Sequence, residues 1–323
     1  MCVEHFRHYH SLTDGGFACI RVIDYGIVVV LNSSMLRRLI AGTKRTFGLH
    51  RPGRNLEVFP DDTFLVSYPK SGNTWTRFLI ANLVYPETHP DFSNINELIP
   101  DPEALSKRHL STLPKPRFLK SHQYFDPRYQ KIIYVVRDPR DVALSQYHFH
   151  RKRRLIDDHY PVAQFVTRFV AGETSEYGSW AENVASWLST RYGSQGFLLL
   201  RYEDMIADTP TELAKVAAFL NIPADSSRIA HAVEQSTANK MRELENAQTG
   251  LWSSTKDTRS DVPFVRSAKP GGWRSGLPEA SVRELERAWC SLMKWLGYEL
   301  ASNLAEDAVP AQLQESLLGG RIL

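Results

Sequence analysis

"FLVSYPKSGNTWTRFLIANLV", residues 64–84, sets a short apolar run before a longer one, with a single lysine and a single glycine at the junction. The first run has the length of a strand, and Pro69 ends it. The second carries Trp75, Phe78, Leu79 and Leu83 at the spacing of one helical face. Gly72 permits a tight turn between the two, and Asn73 or Thr74 is placed to cap the helix. The amides of residues 71–75 then converge at the positive end of that helix, and the Lys70 ammonium leans over the same point. Such a junction is an anion site. In the ATP-type loop GxxxxGK[ST] the lysine follows the second glycine, whereas here Lys70 precedes the only glycine.

The pattern of the opening stretch repeats along the chain. The runs "TFLVSY" (63–68), "RFLKS" (117–121), "KIIYVV" (131–136) and "GFLLLRY" (196–202) have strand length and alternate with helix-length segments. That alternation predicts an α/β fold with a central parallel sheet flanked by helices, of P-loop-like kind. Helices are expected from Trp180 (Val184, Trp187 and Leu188 on one face), from Thr209-Pro210 (Leu213, Val216, Ala217, Leu220) and from Glu279 to the stop at Gly297. We read residues 52–300 as one domain, 1–51 as an ill-defined N-terminal extension and 301–323 as a polar tail.

With 323 residues, 42% hydrophobic and 23% charged, the chain is long enough for one large packed domain. The net charge of +3 and pI near 8.7 suit an anionic small ligand and do not by themselves call for nucleic acid. Cys2, Cys19 and Cys290 stand apart, without disulfide or zinc spacing, which favours a reducing, cytoplasmic setting. The apolar run Tyr25–Leu31 is far below the roughly 20 residues a spanning helix needs, and Arg21 and Asp24 sit just before it. A basic lead-in from Met35 makes that residue an alternative start of translation.

Several segments carry a family resemblance. "YPKSGNTW" (68–75) resembles the 5′-phosphosulfate loop of the sulfotransferases, enzymes that use 3′-phosphoadenosine 5′-phosphosulfate (PAPS). "FLKSH" (118–122), "KIIYVVRDPRDVALSQYHF" (131–149), "YGSWAENVASW" (177–187), "RYEDM" (201–205) and "FVRSAKPGGWR" (264–274) are similar to further elements of that family, in order. The match runs over about residues 52–298 and is nearer the cytosolic branch; a bacterial-type member is expected. The resemblance implies the sulfotransferase fold and PAPS as co-substrate. It assigns the 3′-phosphate to Arg137, Ser145 and Arg266, and the adenine to Trp75 and Tyr202. Lys70, Ser71, Gly72, Asn73 and Thr74 form its phosphosulfate loop, and Ser236, Ser267 and Ala268 fall at further nucleotide-contacting positions. Taken alone, Arg137 before Asp138 also reads as a local ion pair, and Trp75 and Tyr202 equally as core.

Sulfuryl transfer needs a base for the acceptor proton, a cation for the charge growing on the leaving phosphate, and in-line placement. His122, Lys70 and the loop amides supply these, with Lys120 as a second catalytic cation. A lone histidine is more often structural; its place two residues after Lys120, together with the resemblance, reverses that. A sulfuryl group carries less charge than a phosphoryl group, so no metal is expected. A nucleotide or small-molecule kinase would need a lysine after the loop glycine and a magnesium carboxylate, and neither stands in place. An inactive nucleotide-binding protein need not keep Lys70, Lys120 and His122 together, yet all three are present.

Three departures stand out. The family's Arg-Lys-Gly is Arg266-Ser267-Ala268, with Lys269 a candidate replacement cation; its adenine-stacking phenylalanine is Ala238; its Thr-Val dimer motif is Pro278-Glu279, so the dimer is not carried over. The acceptor is expected to be a small molecule, lipid or glycan, bound by segments around 85–112, 150–178 and 240–262, which read as loops. Tyr124, Phe125, Tyr147 and Trp252 hint at an apolar or ring-bearing acceptor. The run Arg151–Arg154 in "HFHRKRRL" reads first as a solvated face; nucleic acid is not an expected partner, and contact with a membrane is left open.

Overall fold

The computed structural model describes residues 56–302 apart from 104, 106, 249 and 252–254, together with two short strands nearer the N-terminus. These two, β1 (Phe17–Ile20) and β2 (Val29–Asn32), pair antiparallel with Phe17 opposite Asn32. The proposed start at Met35, Trp252 and the tail beyond residue 302 lie outside the described residues. Among the described residues no helix is long and apolar enough to cross a membrane.

In the larger unit, from Leu56 onward, the four apolar runs become β3 (Thr63–Ser67), β4 (Phe118–Ser121), β5 (Lys131–Val136) and β6 (Phe197–Arg201). They form one parallel sheet in the order β4-β3-β5-β6, with Val66 opposite Ser121 and Ser67 opposite Val135. Between β3 and β4 run α1 (Asn73–Val84), α2 (Ile95–Leu98) and α3 (Lys107–Thr112). Between β5 and β6 run α4 (Pro139–Lys152), α5 (Val162–Val170) and α6 (Trp180–Arg191). After β6 come α7 (Tyr202–Ala207), α8 (Thr209–Leu220), α9 (Ser226–Gln235), α10 (Ala238–Ala247), α11 (Trp273–Gly276) and α12 (Glu279–Trp295).

Successive strand side chains point to opposite faces, and both faces are covered, which is why the strands read as unbroken apolar runs. On one face Phe64, Val66, Ile132 and Tyr134 pack with Val142 of α4, Phe165 and Phe169 of α5, Trp180 and Trp187 of α6 and Leu285 of α12. On the other, Leu65, Ile133, Val135 and Leu200 pack with Phe78 and Leu79 of α1 and Leu213 and Val216 of α8. The indole of Trp187 donates to the carbonyl of Gln123 at 2.8 Å and so fixes the chain where it leaves β4. Neighbours of β3 lie on both sides, one reached by the first crossover and one by the second. Sheets of this kind open a crevice at the carboxyl ends of the strands, at that switch point.

Helix α6 starts on a reciprocal cap. The Ser179 hydroxyl accepts from the Glu182 amide at 3.2 Å, and the Glu182 carboxylate accepts from the Ser179 amide at 2.9 Å. Ser179→Ala is expected to destabilise the protein by about 1 kcal/mol, measured as a lower urea midpoint with an unchanged slope.

The segments read as acceptor loops are partly helical. They contain α2, α3, α5 and most of α10, and α5 buries Phe165, Val166 and Phe169 completely. The i, i+3, i+4, i+7 spacing of Val162, Phe165, Val166 and Phe169 carried that signal. The basic run also departs from a uniformly solvated face, because Lys152 is buried while Arg153 and Arg154 are exposed.

Candidate active site

The opening stretch folds as a strand, a turn and a helix at the crevice. Lys70 (φ 69°) and Gly72 (φ 98°) both take left-handed backbone, and α1 begins on Gly72. A Cβ on Gly72 would stand 2.5 Å from the Tyr202 ring, so only glycine fits there. Asn73 does not cap the helix; its amide turns inward to the Leu65 carbonyl at 3.4 Å and the Ser67 hydroxyl at 3.1 Å, tying the helix start to β3. The first amide bonded inside α1 is that of Thr76, to the Gly72 carbonyl at 3.0 Å. The amides just before it, on Asn73, Thr74 and Trp75, have no partner within the helix.

Four cations, Lys70, Arg137, Lys152 and Arg266, lie close enough at this turn to act on one another. The Lys70 ammonium lies 4.3 Å from the Phe149 ring centroid and 4.2 Å from that of Phe264. Burial first, and then the charge of Arg137, push its pKa down to about 7, with Lys152 and Arg266 adding to the effect and Glu245 opposing it. Arg137, at the end of β5, makes only long bonds to the carbonyls of Lys70 (3.3 Å) and Lys269 (3.5 Å), lies 3.8 Å from Asp141, and covers the Tyr202 ring at 4.3 Å. Among the described residues its Nε, like the buried Ser71 hydroxyl, has no hydrogen-bond partner. Ser145 is half-buried about two turns into α4, and Arg266 and Ser267 are exposed, their carbonyls engaged by Arg242. Cations held together beside orphaned polar groups are what an anionic ligand would satisfy, so these residues fit a nucleotide phosphate.

Asp138 pairs with Arg140 rather than with Arg137, and its side chain caps α4. The chain's own Arg266-Ser267-Ala268 keeps a glycine-like backbone, because Ala268 has φ 51°. An alanine there is strained, and Ala268→Gly is expected to stabilise the protein by about 0.5–1 kcal/mol, read as a raised Tm.

His122 follows β4. Its Nδ1 lies 2.7 Å from the Ser67 carbonyl, so Nδ1 carries the proton and donates, which leaves Nε2 as an acceptor. Burial, followed by the charge of Lys120, pushes its pKa down to about 3, so the ring is neutral. Asn183 of α6 holds the His122 carbonyl at 3.0 Å. Lys120 is not free: its ammonium pairs with Asp101. Burial works to raise the Asp101 carboxyl, but Lys120, with Arg77 behind it, holds it below the usual carboxylate range. Tyr177 packs against His122 with ring centroids 5.6 Å apart and donates to Glu103, which also accepts from Gln123 at 2.6 Å.

The expected adenine residues meet one another. Trp75 and Tyr202 make an edge contact at 5.8 Å, and the Trp75 indole donates to the Ser236 carbonyl at 2.8 Å. The Ser236 hydroxyl is buried against Asn82, which donates to it at 3.2 Å. Ala238 is the first residue of α10. Of the acceptor-side aromatics, Phe125 packs on Trp187, and Tyr147 packs on Phe165 and bonds the Tyr160 carbonyl, so both are half-buried against the core. Sequence reasoning missed Asp101, Glu103, Phe149 and Phe264 and gave Tyr177 no role. Tyr177 and the two phenylalanines lie inside or beside quoted motifs, whereas Asp101 and Glu103 carry no local signal. Among the described residues no cluster of histidine, cysteine or carboxylates could hold a metal ion.

Fold and site define an α/β protein with a cationic turn at a helix start and a buried histidine at the end of the neighbouring strand. The chain belongs to the sulfotransferase family: the family's sulfotransferase domain matches residues 60–297. Human sulfotransferase 2B1 is 30% identical over 250 residues, 74% of this chain and 67% of that protein. The 3-beta-hydroxysteroid sulfotransferase of Cavia porcellus is 28% identical over 244 residues, 72% of this chain and 83% of that one. A mouse sulfotransferase solved in complex with PAP has a TM-score of 0.61 at 26% identity, covering 74% of this chain and 87% of that one. These relatives are animal proteins, and the expectation of a bacterial-type member finds no support among them.

Proposed function

We propose that this sulfotransferase moves the sulfuryl group of PAPS in line to a hydroxyl or amine of a small-molecule, lipid or glycan acceptor, with His122 as general base. The observation that carries the reading is the His122–Ser67 bond, which sets the tautomer so that in the neutral ring, kept neutral by burial and the Lys120 charge, Nε2 is the nitrogen that takes a proton, on the same strand-end edge as Lys70. PAPS supplies the sulfuryl group to be transferred. Lys70 and the amides of Ser71, Gly72, Asn73, Thr74 and Trp75 hold its 5′ side and balance the charge that grows there as the bond to sulfur breaks. Arg137, Ser145 and Arg266 hold the 3′-phosphate, and the Ser267-Ala268 backbone closes over it. Trp75, Tyr202 and Ser236 border the base.

Lys120 acts beside His122 by exchanging Asp101 for the transferring group. A small-molecule hydroxyl is the favoured acceptor, in keeping with the hydroxysteroid in the name of the Cavia porcellus relative. The same reading takes residues 52–300 as the catalytic domain and places it in the cytoplasm. Calorimetric titration with 3′-phosphoadenosine 5′-phosphate, beside ATP with magnesium, tests it. Binding of the bisphosphate without metal, in preference to ATP, is expected; preference for ATP with magnesium would replace this reading with that of a kinase.

A further inference from the structure

We propose that Phe149 and Phe264 are positioning residues for Lys70, holding its ammonium as a cation between two ring faces until the donor arrives. The inference rests on the donor reading above and deepens it. Both ring centroids lie well inside the roughly 6 Å reach of a cation–π contact. The rings come from different parts of the chain, Phe149 from the last turns of α4 and Phe264 from the segment after α10, and meet each other edge-on at 6.1 Å.

The surroundings explain why rings are used. The charged groups that act most strongly on Lys70 are Arg137 from β5, Lys152 from α4, Arg266 from the C-terminal segment and the carboxylate of Glu245 from α10. Among the described residues none of the ion pairs includes Lys70. A carboxylate in contact with the ammonium would stabilise it but would also repel the incoming phosphate. Two ring faces stabilise the cation and offer no competing anion.

Phe264 is held there by a buried clamp. Glu245 accepts from the amides of Phe264 (2.6 Å) and Val265 (2.9 Å), and Lys152 lies 3.6 Å from Glu245 while donating to the carbonyls of Arg259 (3.0 Å) and Val262 (2.6 Å). This clamp accounts for the one buried member of the basic run 151–154.

The test is calorimetric titration with 3′-phosphoadenosine 5′-phosphate from pH 6 to 9, in two buffers of different ionisation heat, so that affinity and proton uptake are read together. The variants are Phe264→Leu, Phe264→Tyr and Phe149→Leu. Wild type is expected to lose affinity and to take up a proton above about pH 7. Without one ring face, Phe264→Leu should begin that loss about half to one pH unit lower and bind about fivefold more weakly at pH 8, with affinity at pH 6 little changed. Phe149→Leu should do the same from the other ring, and Phe264→Tyr should restore the wild-type profile. If wild type binds and both leucine variants keep its pH profile, or if tyrosine and leucine lose affinity equally at every pH, the positioning role is overturned. If wild type fails to bind the bisphosphate at any pH, the donor reading falls and takes this inference with it.

Discussion

His122→Ala is expected to lower sulfuryl transfer by about 10²–10⁴-fold while leaving the affinity for 3′-phosphoadenosine 5′-phosphate within about twofold. The split follows from geometry. Lys70, Ser71 and Arg137 make no hydrogen bond to the imidazole among the described residues, whereas the proposed base is Nε2, and Nδ1 is committed to the Ser67 carbonyl. Single-turnover transfer to a hydroxylated acceptor, beside calorimetric binding, separates the two. The pH dependence is a second reading of the same site. A free histidine would titrate near 6.5 and switch off as a base below it. Burial and the Lys120 charge push His122 down to about 3, so transfer should show no acidic limb from this group between pH 5 and 8. An acidic limb near 6.5 that disappears in His122→Ala would mean that the ring is solvated rather than buried and that the Lys120 charge does not bear on it. Unchanged turnover in His122→Ala would remove it from the base role altogether.

The sheet was legible because burial on both faces leaves no ambiguity in "KIIYVV" or "TFLVSY", and the turn was legible because Gly72 and Pro69 restrict the backbone locally. The cap was misread for a reason of the same kind. Asn73 is a good cap by residue type, but its amide finds two buried acceptors across the turn in β3, and tertiary contact overrides the local preference. Lys152 was misread because a charge run is judged by its neighbours in sequence, whereas its partner Glu245 lies 93 residues away on another helix (245 − 152). Asp101 and Glu103 are invisible for a similar reason. They become neighbours of Lys120 and Tyr177 only when the chain after α2 runs back along β4, where the Lys120 amide bonds the Pro100 carbonyl at 2.9 Å. The strain at Ala268 was foreshadowed by the family's glycine at that place, although composition gives no hint of it.

Arg137→Ala should weaken binding of 3′-phosphoadenosine 5′-phosphate by about 100-fold, from the loss of charge-assisted hydrogen bonds of about 1.5–3 kcal/mol, and should not lower the stability of the free protein. A buried arginine usually costs stability when removed, because it leaves a partner charge unpaired. Here the hydrogen bonds are long, Nε has no partner among the described residues, and the carboxylate beside it, Asp141, also accepts from the amides of Gly271 (2.7 Å) and Trp273 (3.0 Å). Across the turn Arg137 repels Lys70. The Lys70 pKa is lowered in the folded state, so the unfolded chain binds more protons than the folded one between about pH 7 and the ordinary 10.5. The penalty for burying that charge is present in full below pH 7 and is relieved as the pH rises through that window. Removing Arg137 raises the Lys70 pKa and shrinks the penalty, so thermal unfolding should show a Tm that is unchanged or higher, with any gain largest below pH 7. The same change moves the basic limb of bisphosphate binding to higher pH, opposite in direction to the ring variants. A variant that bound weakly and also unfolded early across the whole pH range would instead mark Arg137 as part of the scaffold that holds the turn.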